Sequence, residues 1–397
     1  MTAEQTPRAL RTIITITGRR NAGKSSLINA ITGQDISIVS PIAGTTTDAV
    51  AKPYELLPLG AVTFYDTAGL DDEGSLGEQR IKATRKILYR TDIAVLVIGE
   101  QGLGEIEKNT IAEIKKLNIP LLAVFNKSDL YTPDISYCQK NNIEHIVVSS
   151  QANHNIEALK EKIIEIAPPE LKEEPSLLGD IIKKDDLVVL VTPIDTSAPK
   201  GRLILPQVQI LREILDCNAQ ALVTKETELK SALQKLNTKP TLVITDSQVV
   251  LEVAKDVPDD INITTFSILF ARYKSNLTAM IQGAKTIDTL KDGDKILIAE
   301  ACSHHVQADD IGKVKIPAWL KKHTGKDLYF DFSAGHDFPD DLEKYALIIH
   351  CGACMLGRTE MMRRLNECTR RNIPITNYGI AISKLQGVLE RTTRNFM

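Results

Sequence analysis

The chain has 397 residues, 43% of them hydrophobic and 25% charged, with a formal net charge of −3. That length supports two or three domains with cores of their own, and the near-neutral charge excludes a bulk electrostatic footprint for nucleic acid. No apolar run reaches a membrane span, Met1-Thr2-Ala3-Glu4 carries no signal-peptide pattern, and six cysteines form no disulfide framework, so a cytoplasmic protein with reduced thiols is expected.

Residues 1–10 read as a loose arm. From 11 to 167, short β-rich runs alternate with helical segments: Thr12–Thr17, Val62–Tyr65, Ile93–Ile98, Leu121–Phe125 and Ile146–Val148. This alternation predicts a mostly parallel sheet covered by helices. Prolines and charge over 168–179 predict a linker. A second α/β unit follows over 180–270. Its strands are expected at Leu187–Val191, Thr241–Thr245 and Thr264–Ile268, with helices at Gln207–Leu215 and Val249–Ala254. It carries no chemical motif, which points to assembly or spacing. A third unit, 271–397, has strand candidates at Lys295–Ala299, Asp327–Phe332 and Ala346–Ile349.

Gly18-Arg19-Arg20-Asn21-Ala22-Gly23-Lys24-Ser25 fits G-x-x-x-x-G-K-[ST] between a strand and the helix Ser26–Ile31. Glycines let backbone amides curl around phosphates, and a helix N-terminus favours their charge. Lys24 is expected on the β- and γ-phosphates and the Ser25 hydroxyl on Mg²⁺. Gly44-Thr45-Thr46-Thr47-Asp48, Asp66-Thr67-Ala68-Gly69 and Asn126-Lys127-Ser128-Asp129 follow in order, with a weaker base loop at Ser149-Ser150-Gln151. A carboxylate at Asp129 can accept from guanine N1 and N2, donors that adenine lacks. The set resembles the GTPase superfamily. The resemblance implies Thr46 as a Mg²⁺-sensing threonine, Asp66 on Mg²⁺ through water, and the Gly69 amide on the γ-phosphate. Lys24, Thr46, Asp66 and Gly69 are the expected catalytic residues. Gly18, Asn21, Gly23, Lys24, Ser25, Ser26, Thr46, Asn126, Lys127, Asp129, Ser149 and Ser150 are the expected nucleotide contacts. Leu70 stands where many GTPases carry a water-positioning glutamine, so hydrolysis needs another device or is slow. The resemblance to TrmE-type GTPases implies K⁺ bound through Asn21 and K⁺-stimulated hydrolysis.

Cys302-Ser303-His304 and His350-Cys351-Gly352-Ala353-Cys354 each follow a strand candidate. Thiolates bind soft metals, and Cys-x-x-Cys puts two on one side of an ion or cluster. Three cysteines would leave one iron of a [4Fe–4S] cluster open, with His304, His350, Glu300 and Asp309 as candidates for that corner; Cys₃His also suits zinc. Cys368 reads as a core thiol, and Cys138 and Cys217 as inert. Residues 358–371 carry five arginines, most of them expected opposite the Met361/Leu365 face.

Taken whole, the chain resembles the HydF family, the GTPases of [FeFe]-hydrogenase maturation. The fold implied is α/β: a P-loop GTPase domain plus two smaller α/β domains, the last holding an iron–sulfur site. The resemblance implies dimerisation through 180–270 and a [4Fe–4S] cluster on Cys302, Cys351 and Cys354. It implies a homodimeric scaffold that takes a two-iron H-cluster precursor from radical-SAM maturases and delivers it to apo-[FeFe]-hydrogenase. Neither nucleic acid nor membrane is an expected partner. The alternatives are a TrmE- or Era-like RNA-associated GTPase and a zinc-stabilised regulatory GTPase.

Overall fold

The computed structural model describes residues 6–7, 10–33, 50–67, 70, 87–172, 176–194, 203–301, 310–336, 338–339, 341–353 and 355–396. The chain forms two compact units, Met1–Glu174 and Pro175–Met397.

The first unit is a six-stranded sheet in the order β2-β3-β1-β4-β5-β6. Its strands are β1 (Thr12–Gly18), β2 (Val50–Leu56), β3 (Gly60–Asp66), β4 (Ile93–Ile98), β5 (Leu121–Phe125) and β6 (Glu144–Val147). Every residue of β4 is buried. Val95 and Val97 face a core shared with helices α1 (Lys24–Thr32) and α3 (Ile156–Ile166). Leu96 and Ile98 face the opposite core, with Ile111 of α2 (Glu105–Lys116). A strand apolar at every position is what a sheet covered on both faces requires. β2, not expected from the sequence, runs antiparallel to β3 at the sheet edge. Pro53 hides it from a propensity reading, yet an edge strand tolerates proline.

The second unit holds two four-stranded parallel sheets. One has the order β10-β9-β7-β8, from β7 (Leu187–Val191), β8 (Gln220–Thr224), β9 (Leu242–Thr245) and β10 (Asn262–Thr265). The other has the order β12-β11-β13-β14, from β11 (Lys295–Glu300), β12 (Tyr329–Ala334), β13 (Leu347–His350) and β14 (Ile375–Asn377). The strand expected over Thr264–Ile268 stops at Thr265, whose hydroxyl accepts from the Ile268 amide at 3.2 Å and caps helix α4 (Phe266–Lys274). This helix serves both sheets. Ile268 and Ala271 enter the core of the second sheet, and Phe266, Leu269 and Phe270 that of the first. Near the C-terminus, Arg391 donates to the carbonyl oxygens of Ala254 and Val257, which ties the last residues to the end of the helix Val250–Asp256.

The stretch read as a linker is structured at both ends. Pro169–Lys172 forms a helical turn, and Leu171 packs on the first unit's core. Leu177 and Leu178 are buried in the second unit, and their amides donate to Glu213. Among the described residues, no helix is long and apolar enough to cross a membrane.

Candidate functional site

β1, β3, β4 and β5 are parallel neighbours, so the nucleotide motifs at their carboxyl ends converge. The phosphate loop leaves β1 at Gly18, where a Cβ would lie 2.3 Å from the Val97 carbonyl oxygen. It enters α1 at Gly23, which has φ 93° and faces Asn126 Nδ2, 2.2 Å from where a Cβ would stand. Both positions therefore require glycine. The buried Lys24 ammonium donates to the Gly18 and Arg19 carbonyl oxygens at 3.0 and 2.8 Å, which draws it into the loop. Ser25 Oγ donates to Asp66 Oδ2 at 2.5 Å, so the two expected Mg²⁺ partners meet. Asn21 is exposed with φ 61°, a left-handed conformation that asparagine accepts more readily than most residues. Ser26 is exposed in the first turn of α1. Thr46 and Gly69 lie outside the described residues.

On the base side, Asn126 is fully buried and ties two loops together. Its Nδ2 donates to the Ala22 carbonyl at 3.1 Å, and its Oδ1 accepts from the Ser150 amide at 3.0 Å. Ser149 Oγ donates to Asp129 Oδ1 at 2.5 Å and accepts from the Ala152 amide at 3.0 Å. The weak base loop thus orients the carboxylate expected to read guanine. Lys127 has φ 65°, and its ammonium pairs with Glu100 at 2.8 Å. A cleft of about 260 Å³ is lined by Arg19, Arg20, Asn21, Gly99, Gln101 and Lys127 among others. Sequence reasoning missed its buttress: Arg19 Nη2 donates to the buried Glu107 at 2.7 Å, which fastens the phosphate loop to the start of α2.

The second constellation sits in the last sheet. β11 and β13 pair in parallel with Ala299 opposite His350, so the chain runs toward Cys302 and into Cys351 at the same end of adjacent strands. Cys302, His304, Asp309 and Cys354 lie outside the described residues. Among the described residues no three His, Cys, Asp or Glu side chains are grouped to hold a metal. Cys351 is half-buried, and its Sγ accepts from the Ala301 amide at 3.0 Å. Lys274, buried at the end of α4, donates to the Ala353 and Leu356 carbonyl oxygens, both at 2.8 Å. An N–H···S bond and a buried cation suit a thiolate-bound, anionic group, so the residues present fit the cluster expected there. Glu300 is buried at the end of β11 and accepts from Tyr378 Oη at 3.0 Å.

His350 is fully buried, and both ring nitrogens are engaged. Arg364 Nη1 donates to Nε2 at 2.9 Å, which puts the ring proton on Nδ1, 3.0 Å from the Cys351 carbonyl oxygen that it bonds. Burial first, and then the Arg364 charge, push its pKa down to about 3, so the ring is neutral. His350, one of the candidates for the open corner, thus has both ring nitrogens hydrogen-bonded in this arrangement. Arg364, expected opposite the buried face of its helix, is itself buried. It lies on α5 (Arg358–Arg370) with Met361, Leu365 and Cys368, at the i, i+3, i+4, i+7 spacing of one helix face. Its Nη2 donates to Glu360 at 2.8 Å and to the Gly335 carbonyl at 2.9 Å. Arg370 and Arg371 pair with Glu367, and Arg371 also with Glu343. Cys138 and Cys368 are fully buried, and burial pushes their thiols up to about 11 and about 12.

Family models match three successive stretches of the chain. A 50S ribosome-binding GTPase model matches residues 13–127, a hydrogen maturase F dimerization domain 177–275, and a hydrogen maturase F tetramerization domain 278–395. The last two together span more than half of the chain. Among curated proteins, GTPase Der of Wolinella succinogenes is 32% identical over 176 residues, which are 41% of this chain and 37% of that protein. The tRNA modification GTPase MnmE of Dechloromonas aromatica is 33% identical over 160 residues, 39% of this chain and 34% of that protein. The chain thus spans little more than a third of the length of these curated relatives. Among solved structures, Era in complex with MgGDPNP and a fragment of 16S ribosomal RNA is 22% identical. It covers 59% of this chain and 91% of its own, at a TM-score of 0.36, too low to carry an argument.

Proposed function

Because the chain belongs to the hydrogen maturase F family, whose two domain models match residues 177–275 and 278–395, we propose that it is a GTP-hydrolysing scaffold of [FeFe]-hydrogenase maturation. One observation carries this reading. The segments bearing Cys302 and Cys351 leave adjacent parallel strands at one end, in a chain whose first unit assembles a guanine-nucleotide site.

In the nucleotide site, Lys24 would exchange its loop carbonyls for the β- and γ-phosphates. Ser25 and Asp66 would take Mg²⁺ between them, Ser25 directly and Asp66 through water. Thr46 and the Gly69 amide complete the γ-phosphate sensor in this reading. Asp129, braced by Ser149, would select guanine, with Asn126 and Lys127 holding the loop. Leu70 cannot orient water, so K⁺ held through Asn21 supplies the charge that an arginine finger gives elsewhere, and turnover is slow.

Cys302, Cys351 and Cys354 would hold a [4Fe–4S] cluster, with His304, Glu300 or Asp309 as candidates for its open corner. A bound cluster would supply an iron with an exchangeable position. The two-iron precursor would be the cargo, received from radical-SAM maturases and passed to apo-[FeFe]-hydrogenase. A nucleotide switch orders or releases loops through the γ-phosphate, which suits it to control partner exchange. The homodimer is widened to an oligomer, since the matched domains are named for dimerization and for tetramerization. Action in the cytoplasm fits this set of partners.

Anaerobic purification with iron, sulfide and zinc assays tests the cluster. Iron and sulfide in equal amounts support it, and colourless protein with zinc alone overturns it. GTP turnover measured in K⁺ and in Na⁺ tests the cation: faster turnover in K⁺ is expected, and equal rates remove that role.

A further inference from the structure

We propose that Arg364 and Lys274 are positioning residues for the cysteine loop, and that His350 links Arg364 to that loop rather than binding metal. The inference rests on the reading that the loop holds a cluster.

The loop joins β13 to α5, and three of its carbonyl oxygens are bonded to buried donors. The Cys351 carbonyl accepts from His350 Nδ1 at 3.0 Å. The Ala353 and Leu356 carbonyls accept from Lys274 Nζ at 2.8 Å each. His350 is held in turn by Arg364 at 2.9 Å, and Arg364 by Glu360 at 2.8 Å. His336, at the end of this chain of contacts, sits 3.0 Å from Glu360. The two cations have aromatic walls, Phe338 5.0 Å from Arg364 and Phe270 5.7 Å from Lys274.

Buried lysine and arginine are rare, because removing them from water is costly. Here Lys274 is turned on the Ala353 and Leu356 carbonyls of the loop, and Arg364 on the ring of His350, which bonds the Cys351 carbonyl. Ala353 has φ 53°, a left-handed conformation that an alanine keeps only where its surroundings hold it. Lys274 bonds the carbonyl of that same residue. A carbonyl oxygen aimed at a buried donor is also kept from facing sulfur, which it would repel. The electrostatics agree. Glu360 neutralises Arg364, whereas Lys274 brings positive charge onto the loop that carries Cys351. That charge favours the reduced, more negative state of a cluster.

The test compares the full-length, anaerobically reconstituted wild type with Lys274→Met, Lys274→Arg, Arg364→Gln, Arg364→Lys and His350→Gln. Readouts are iron and sulfide per chain, the EPR spectrum of the reduced cluster, and its midpoint potential. Arg364→Gln and His350→Gln are each expected to lose at least half of the bound iron and to broaden the EPR signal alike. Lys274→Met is expected to shift the potential downward, and Lys274→Arg to restore most of it. Pulsed EPR of the unaltered protein needs no variant and is expected to show no directly coordinated imidazole nitrogen. A strong nitrogen coupling abolished by His350→Gln overturns the proposal. So do folded Arg364 and Lys274 variants with wild-type iron, spectrum and potential. If a glutamine or methionine variant fails to fold, the lysine and arginine replacements and the pulsed EPR still decide. A wild type that takes up no iron and sulfide defeats the cluster reading itself, a separate outcome.

Discussion

Asp129 shows how one residue gains its meaning from a neighbour. The carboxylate is set by Ser149 Oγ at 2.5 Å, and Ser149 is itself fixed by the Ala152 amide. Two charge-assisted hydrogen bonds to guanine, each about 1.5–3 kcal/mol, would rest on that geometry. Asparagine at this position keeps one acceptor and sets an NH₂ against a guanine donor. Asp129→Asn should weaken GTP binding roughly 100-fold, on the scale of about 1.4 kcal/mol per tenfold. A fluorescent-GTP titration checks this, and unchanged affinity would remove Asp129 from the site. The thiols give a second residue-scale expectation. Cys138 and Cys368 should resist iodoacetamide at about pH 8, because a thiol reacts as its thiolate and burial disfavours that form. Mass spectrometry of the native and unfolded protein reads the difference. Unfolded thiols ionise near 9.0 and these folded ones only near 11 and 12. Their burial therefore stabilises the fold fully below the unfolded value, and that contribution is lost as pH rises through the folded values.

At the scale of the element, the phosphate loop and α1 show a turn fitted to its surroundings. Gly23 combines φ 93° with a neighbour 2.2 Å from the Cβ position. Gly23→Ala should cost about 1–2 kcal/mol from the left-handed backbone alone, and displacement of Asn126 should abolish GTP binding. Thermal melting and the same titration check both effects, and wild-type binding by the alanine variant would contradict them. Elements were legible in the sequence where both faces are buried. β4, β5 and β7 are continuous apolar runs, and their bounds match the expected ones. β2 was hidden by Pro53 and its edge position, and β14 by its length of three residues. Thr265 was read as strand interior because its β-branched neighbours suggest a strand, whereas its hydroxyl starts a helix. Arg364 was misplaced because charge was taken as a sign of exposure. The spacing of Met361, Arg364, Leu365 and Cys368 already put it on the apolar face, and Glu360 one turn earlier supplied its partner.

At the scale of the molecule, the order of motifs along the chain made both candidate sites legible. The nucleotide motifs at Gly18, Asp66 and Asn126 stand at the ends of strands of the first unit, and each cysteine motif follows a strand of the last sheet. The supporting residues Glu107 and Lys274 were not legible, because they act from helices that only the tertiary fold brings near. Helix α4 also carries Lys274 from the end of the middle sheet to the cysteine loop, so both sheets of the second unit pack on the helix that braces that loop. The most direct measurement is the activation of apo-[FeFe]-hydrogenase in vitro. The full-length chain, loaded by the radical-SAM maturases, is compared with Cys302→Ala loaded in the same way. Hydrogen evolution from the wild-type mixture and none above background from the variant is the predicted result. Equal activation by both would contradict the claim that this site carries the precursor.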